Sequence, residues 1–295
     1  MQRVIWLGAV LALLGPPAIA SSGHPQLADQ VLGTFPVPPA GPGPGTVALW
    51  PTHGTPKVIR FAPAGTPQGN SFYAGYDPSR QRVYVPTVAG ITWVLDARDG
   101  AVLQHFPSPK GGRVARVSPD HRWLLVLSGK QLASYALSTY RRAWTLPVGG
   151  NALAFTAHGR AVFVGGNMDK DITEVRLPTG HLVRHYPIAR SGDLLWAGQQ
   201  LFSADISSGI VSALNPTTGR IVRIQTPERD PNFSYAHIAA AKAGFMQLAA
   251  SPHQRTVYIA GFSGHILRIS VAGDRFTGDL RVRAPRPSRL SGIAV

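Results

Sequence analysis

The chain has no cysteine and very little lysine or glutamate. Its 295 residues include five lysines and two glutamates, and only 15% of them are charged. The absence of cysteine excludes disulfides, thiolate catalysis, iron–sulfur clusters and cysteine-ligated zinc. The scarcity of lysine and glutamate argues against an all-α bundle, because exposed helix positions usually carry these strong helix formers.

Long apolar runs are confined to the N terminus. Arg3 precedes an apolar run over residues 4–14, and the sequence Ala18-Ile19-Ala20 provides an A-x-A cleavage site before Ser21. This pattern predicts a signal peptide over residues 1–20, and therefore a periplasmic or secreted protein. An uncleaved membrane anchor is the alternative. No later stretch reaches eighteen apolar residues, so we expect no transmembrane span in the mature chain.

Glycine, proline and arginine are abundant instead. The chain has 32 glycines and 26 prolines, which predict many turns, and its formal net charge is +15. Residues 21–45 alternate proline with glycine and are predicted to form an extended lead-in. Residues 46–295 are predicted to form the folded domain.

Five segments in this domain share one pattern. Each begins at a turn, continues through three β-rich runs, and ends in an apolar run that leads to the next turn. The turns begin at Asp77, Ser118, Thr156, Ala197 and Ser251. Four short strands in a repeat of about forty residues predict the blades of a β-propeller, which bury their apolar faces against one another.

The two ends of the chain together predict one further blade. Residues 31–35, 46–50 and 57–61 match three of the four runs, and residues 290–295 match the strand that precedes a turn. We therefore expect an all-β, six-bladed β-propeller whose ring is closed by N-terminal strands pairing with the C-terminal strand. A seven-bladed ring is the alternative.

Several of these motifs resemble a known repeat family. The turns Ser118-Pro119-Asp120 and Ser251-Pro252-His253, with runs such as Val257-Tyr258-Ile259, resemble YVTN-type β-propeller repeats. The resemblance implies a bacterial exported propeller. Related propellers include amine-dehydrogenase subunits, lactonases and a haem-binding domain of nitrite reductase, and no motif in this chain selects one of these activities.

The fourth interval between turns contains an insertion near residues 227–244. Long loops on a propeller are usually functional or mobile, and the insertion supplies the ligand-binding candidates. A tolerated surface insertion is the alternative. These candidates are Asp230, Tyr235, His237 and Lys242. Residues 236–242 are compatible with a short helix.

The densest basic stretch lies near the C terminus. Its anion-binding candidates are Arg281, Arg283, Arg286 and Arg289. They would favour nucleic acid, another anionic surface or an acidic protein, and a generally basic surface without a specific partner is the alternative.

Two local patterns resemble metal sites but lack the ligand spacing that such sites need. His181 and His185 have helical metal-site spacing, but on a strand residues four apart lie about 13 Å from each other. Residues 166–171 lack the spaced carboxylates of a calcium hand, so a turn between strands is predicted there. The sequence therefore predicts no metal ligands.

The interpretation that fits these patterns best is an exported, non-catalytic propeller. It would bind a protein partner or small ligand at its channel face, as a monomer and without a cofactor. A haem- or quinone-linked or lactonase-like enzyme is one alternative, and binding of anions or nucleic acid through the basic surface is another.

Overall fold

The protein is described from a computed structural model. It describes residues 73–230, 232, 244–261 and 263–281, and strands at residues 11–12, 30–34, 46–51, 57–60 and 293–294. Within these residues the secondary structure consists of strands and turns, with no helix. In this part of the chain there is accordingly no helix of the length and hydropathy needed to cross a bilayer.

Five four-stranded sheets follow one another along the chain, and the strands of each are neighbours in sequence order. Sheet I contains β5 (Gly75–Asp77), β6 (Arg82–Pro86), β7 (Ile91–Asp96) and β8 (Val102–Pro107). Sheet II contains β9 (Gly112–Val117), β10 (Trp123–Ser128), β11 (Leu132–Ala136) and β12 (Arg142–Leu146). Sheet III contains β13 (Ala152–Phe155), β14 (Ala161–Gly165), β15 (Ile172–Arg176) and β16 (His181–Tyr186).

The last two sheets repeat this arrangement. Sheet IV contains β17 (Ser191–Ala197), β18 (Gln200–Asp205), β19 (Ile210–Leu214) and β20 (Ile221–Gln225). Sheet V contains β21 (Phe245–Ala250), β22 (Thr256–Gly261), β23 (His265–Ser270) and β24 (Arg275–Arg281). Five antiparallel sheets of this kind confirm the all-β class and the four-stranded repeat predicted from the sequence.

Alternating side chains explain why the sheets stack. In β10, Leu124 and Val126 belong to a core cluster with residues of sheet I, whereas Leu125 and Leu127 belong to a cluster with residues of sheet III. All four side chains are fully buried. Because successive side chains of a strand point to opposite faces, one apolar strand supplies two cores.

The hairpin between the third and fourth strands of each sheet uses one left-handed backbone position. This position has φ values of 78°, 54°, 72°, 74° and 44° at Gly100, Tyr140, Gly180, Gly219 and Asp274, in chain order. Glycine adopts such angles without steric cost, which explains its presence in three of the five hairpins.

The chain divides into two compact units. The first comprises Pro16–Val164 and Val175–Val183, and the second comprises Met1–Gly15, Gly165–Glu174 and Arg184–Val295. In the first unit, Tyr73 forms a parallel bridge with Val114 on β9. In the second, a carboxylate oxygen of Asp193 on β17 accepts a 2.9 Å hydrogen bond from the backbone N of Leu248 on β21.

The terminal strands differ from the pairing that the sequence predicts. Strands β2 (Gln30–Thr34), β3 (Thr46–Pro51) and β4 (Lys57–Arg60) form a three-stranded antiparallel sheet, close to the three predicted runs. The C-terminal strand β25 (Ile293–Ala294) pairs in parallel with β1 (Leu11–Ala12), not with this sheet. The predicted ring closure is therefore not shown, and β1 falls within the predicted signal peptide.

Candidate functional site

The connection from sheet IV to sheet V is the longest between the five sheets. Residues 226–244 separate β20 from β21, whereas residues 108–111, 147–151 and 187–190 make the equivalent connections earlier in the chain. The base of this connection is the candidate site. It is formed by residues 226–230, Asn232 and Gly244, which the structure describes.

A threonine fixes the start of the insertion to the turn between β18 and β19. The backbone N and the hydroxyl of Thr226 both donate to the carbonyl oxygen of Gly209, each at 2.9 Å. The backbone N of Glu228 in turn donates to the Thr226 hydroxyl at 3.3 Å. Thr226 is buried, so these contacts satisfy polar atoms that water does not reach.

The carboxylate of Glu228 then joins the two ends of the insertion. Its Oε1 accepts hydrogen bonds from the backbone N of Gly244 at 3.2 Å and of Ser263 at 2.8 Å. Its Oε2 accepts a 2.5 Å hydrogen bond from the Ser263 hydroxyl. One side chain therefore holds both the beginning and the end of the insertion against the turn between β22 and β23.

Space for this carboxylate depends on a glycine. A Cβ atom on Gly261 would lie 2.7–2.9 Å from the Glu228 carboxylate group, closer than such contacts allow. Glu228 is 3% exposed, and the three donors described above are neutral N–H and O–H groups. A buried carboxylate is tolerated where hydrogen-bond donors replace the water that it loses.

The predicted ligand-binding residues are only partly within the described structure. Asp230 is buried at the base of the insertion, and its Oδ1 accepts a 2.9 Å hydrogen bond from the backbone N of Asn232. The contact gives Asp230 a role in shaping the loop base. Tyr235, His237 and Lys242, together with the helix predicted over residues 236–242, lie outside the described residues.

The predicted anion-binding residues are described at one position. Arg281 is exposed at the end of β24, opposite His265 in the strand pairing. Arg283, Arg286 and Arg289 lie outside the described residues. The structure therefore shows one exposed arginine of this set.

The metal-like patterns lie in the local structures expected for them. His181 and His185 are both on β16, and the His185 Nδ1 lies 3.1 Å from the Thr173 hydroxyl oxygen. Within the described residues, no group of three or more histidines and carboxylates is arranged to hold a metal ion. Asp169 lies in the turn between β14 and β15, where burial and the nearby charge of Asp171 raise its pKa.

Asp77, which begins the first predicted turn, is buried and joins sheets I and II through contacts that the sequence does not indicate. The Oδ1 of Asp77 lies 2.9 Å from His121 Nδ1 and accepts a 2.7 Å hydrogen bond from the Ser79 hydroxyl. Its Oδ2 lies 2.8 Å from Arg80 Nη1. Burial pushes the pKa of Asp77 upward, but hydrogen bonds from Ser79, Arg80 and His121 hold it below its usual value.

Glu228 lies at the start of the predicted insertion, but it is not among the predicted ligand-binding residues. Its partners lie 16 and 35 positions further along the chain, beyond the reach of any local periodicity. The signal that the sequence offered was the rarity of glutamate, because Glu228 is one of two glutamates in the chain. The other, Glu174, accepts a 2.7 Å hydrogen bond from the Tyr186 hydroxyl. Both glutamates therefore accept hydrogen bonds inside the fold.

Comparisons with known proteins found no family model and no curated protein that matches the chain.

Proposed function

We propose that the protein is an exported, non-catalytic binding protein that presents the insertion after β20 to a protein partner or small ligand. The observation that carries this proposal is the closure of the insertion by Glu228, which joins Gly244 and Ser263. A long loop whose base is held by hydrogen bonds loses less conformational entropy on binding than a loop whose base is not held. A scaffold of sheets that holds such a loop is a common arrangement for recognition.

Buried apolar side chains on the face of sheet I that does not contact sheet II support a further blade in this scaffold. Val83, Val85, Trp93 and Leu95 form a buried cluster on the face opposite the contact with sheet II. Their exposed fractions lie between 1% and 8%, so other residues must cover this face. We propose that β2–β4 cover it and that the complete ring has six blades. A crystal structure in which six blades can be counted would support this proposal, and seven blades would contradict it.

The binding proposal is tested by replacing the part of the insertion beyond its base. Residues 233–243 are exchanged for a short glycine–serine linker, and Glu228 and Gly244 are kept. Wild-type and variant proteins are used as baits in a periplasmic extract of the native host, and bound proteins and small molecules are quantified by mass spectrometry. We expect molecules retained by the wild type to be lost from the variant.

A control variant carries a change outside the insertion. Thr217 and Thr218 lie in the exposed turn between β19 and β20, and their replacement by serine leaves the insertion intact. This control variant is expected to retain the same molecules as the wild type. Equal retention by the loop-exchange variant would show that the insertion is not the binding element.

A further inference from the structure

Five exposed arginines lie at one end of sheets II and III. Successive strands of these antiparallel sheets run in alternate directions, so the turn after the first strand and the hairpin after the third lie at the same end. In the two sheets these turns are residues 118–122, 137–141, 156–160 and 177–180. The arginines in these turns and at the strand residues next to them are Arg122, Arg141, Arg142, Arg160 and Arg176, and all are exposed. We call these five residues the arginine end.

Backbone hydrogen bonds hold the two turns of each sheet together. In sheet II the backbone N of Leu137 donates to the carbonyl oxygen of Arg122 at 2.9 Å. In sheet III the backbone N of Leu177 donates to the carbonyl oxygen of Arg160 at 2.8 Å. The arginines of each sheet are therefore carried by one hydrogen-bonded frame.

Packing joins the ends of the two sheets. The Nε1 of Trp144 on β12 donates to the carbonyl oxygen of Pro178 at 2.5 Å. A Cβ atom on Gly180 would lie 2.6–3.0 Å from atoms of the Trp144 indole, so the hairpin of sheet III lies directly against this ring. A Cβ atom on Gly159 would lie 3.2 Å from the Cδ of Pro119, so the other two turns are also in contact. The arginine end is therefore one continuous surface.

The positive charge of this surface is not compensated by nearby carboxylates. Among the residues that the structure describes, none of the five guanidinium groups forms an ion pair. Asp120 is the single acidic residue in the four turns, and its Oδ1 accepts hydrogen bonds from the Ser118 hydroxyl and the backbone N of Arg122. A cluster of like charges of this kind attracts anions from solution.

The corresponding end of sheet I differs in this respect. Arg80 pairs with Asp77 at 2.8 Å. Arg82 and Arg98 pair with Asp96 at 3.0 and 2.7 Å. Both aspartates are buried. The same end of a neighbouring sheet thus neutralises its arginines internally, whereas the arginine end leaves its guanidinium groups available to an external anion.

The composition of the surface restricts the kind of anion. Guanidinium groups bind phosphate oxygens through paired hydrogen bonds. Protein interfaces usually depend on large apolar or aromatic side chains at their centre, and proteins that bind single-stranded nucleic acid stack bases on aromatic rings. In the four turns, which the structure describes in full, no large apolar or aromatic side chain is exposed. The predicted export also places the mature protein beside a membrane surface.

We propose that the arginine end binds the surface of a bilayer that contains anionic phospholipids. The guanidinium groups would donate to headgroup phosphates, and the protein would stay outside the hydrocarbon core. The choice of lipid rests on the export that is part of the proposed function, but the binding uses no residue of the insertion. Export is checked separately by the mass of the protein from its native host, because cleavage removes residues 1–20.

The test is co-sedimentation of the mature chain, residues 21–295, with lipid vesicles. The predicted signal peptide is left out because its apolar run would itself bind a bilayer. Vesicles of phosphatidylglycerol and phosphatidylcholine in equal parts are compared with vesicles of phosphatidylcholine alone. We expect binding to the mixed vesicles only. It should weaken as salt is raised from about 0.05 to about 0.5 M, because ions screen the attraction.

Charge variants separate the arginine end from the overall charge of the protein. The triple variant Arg122→Gln, Arg141→Gln and Arg160→Gln should bind about a hundredfold more weakly, since each arginine near an anionic surface contributes roughly a factor of five. Lysine at the same three positions keeps the charge and should retain most of the binding. The control variant replaces three exposed arginines elsewhere with glutamine and should lose far less. These three are Arg190, Arg223 and Arg281.

The glutamine variant should remain folded, because the side chains that it replaces are exposed and form no ion pairs among the described residues. Its thermal midpoint is compared with that of the wild type. If the midpoint falls, the double variant Arg141→Gln and Arg142→Gln, confined to one hairpin, takes its place.

Four results would overturn the proposal. They are equal binding to phosphatidylcholine vesicles, binding that salt does not weaken, an equal loss of binding in the control variant, and binding to duplex DNA or polyglutamate without binding to the mixed vesicles.

Discussion

The carboxylate of Glu228 accepts hydrogen bonds from both the backbone N and the side-chain hydroxyl of Ser263, at 2.8 and 2.5 Å. The two residues are 35 positions apart, so these contacts join the insertion after sheet IV to a turn within sheet V. The backbone N of Gly244 donates to the same carboxylate. One acidic side chain therefore holds both ends of the insertion against sheet V.

Replacing Glu228 with glutamine should loosen the insertion and destabilise the fold. Both carboxylate oxygens accept hydrogen bonds, and the glutamine amide would place an NH₂ group against one of the donors. Hydrogen bonds to charged groups contribute about 1.5–3 kcal/mol, so we expect a loss of about 3 kcal/mol in the free energy of unfolding. Urea denaturation measures this loss, and hydrogen exchange at the amides of Gly244 and Ser263 should become faster.

The matched control is the same substitution at the other glutamate. Glu174 accepts the Tyr186 hydroxyl, and a glutamine carbonyl can accept that bond in the same way. Glu174→Gln should therefore cost less than half as much as Glu228→Gln. Equal losses in the free energy of unfolding would mean that the Glu228 contacts stabilise the fold no more than the Glu174 contact does.

Gly261 should be intolerant of a methyl group for the same structural reason. A Cβ at this position would meet the Glu228 carboxylate at 2.7–2.9 Å, so Gly261→Ala must displace it. Overpacking of this kind costs about 1–3 kcal/mol, measured as a shift of the urea midpoint. In Gly273→Ala the nearest atom is 3.4 Å away, on the side chain of Arg275, and we expect a much smaller effect. In a Glu228→Ala background the cost of Gly261→Ala should largely disappear.

The repeat could be predicted from the sequence because its cause is local. The run that contains Leu124 and Leu125 shows strand character in its composition, and both residues are buried in β10. The turn residues that separate such runs are equally visible, as at Gly100 and Gly219, whose φ values are positive. These features depend on residues a few positions apart, so they can be recognised in the sequence before the fold is known.

The candidate site depends on contacts between residues that are far apart in the sequence. Asp77 and His121 are 44 positions apart in the chain, and Glu228 and Ser263 are 35 positions apart. No spacing rule connects such residues until the sheets are stacked. The strand β25 has two residues, too few to carry a pattern that specifies its partner. Sequence reasoning therefore identified the insertion but not the contacts of Glu228 that fix its base.

Stability should decrease in acid because of the buried aspartates Asp77 and Asp96. Burial raises the pKa of Asp77, but hydrogen bonds from Ser79, Arg80 and His121 outweigh it and hold that pKa below its usual value. Hydrogen bonds from Arg98, together with the charges of Arg98 and Arg82, lower the pKa of Asp96. A carboxyl group with a lower pKa in the folded state contributes stability above its unfolded pKa of about 3.9. That contribution is lost as the pH falls from about 4 through the folded pKa. Asp77→Asn and Asp96→Asn should each reduce the slope of unfolding free energy against pH in this range.

The pH dependence is measured by urea denaturation between pH 2 and pH 7. Asp99→Asn, a change at an exposed position on the same sheet, provides the charge-matched control. It should leave the slope below pH 4 close to that of the wild type. An unchanged slope in both buried variants would show that these two aspartates are not responsible for the acid sensitivity.

Two tyrosine hydroxyls should respond in opposite ways to removal. Tyr135 is 2% exposed, and its hydroxyl has no hydrogen-bond partner among the residues that the structure describes; burial raises its pKa to about 12. Removing an unsatisfied buried hydroxyl relieves an unfavourable desolvation, so Tyr135→Phe should be neutral or stabilising by up to about 1 kcal/mol. Tyr186 donates its hydroxyl hydrogen to Glu174 at 2.7 Å, and Tyr186→Phe should cost about 1–2 kcal/mol. Thermal and urea unfolding of both variants measure the difference, and destabilisation of Tyr135→Phe as large as that of Tyr186→Phe would refute the assignment of an unsatisfied hydroxyl.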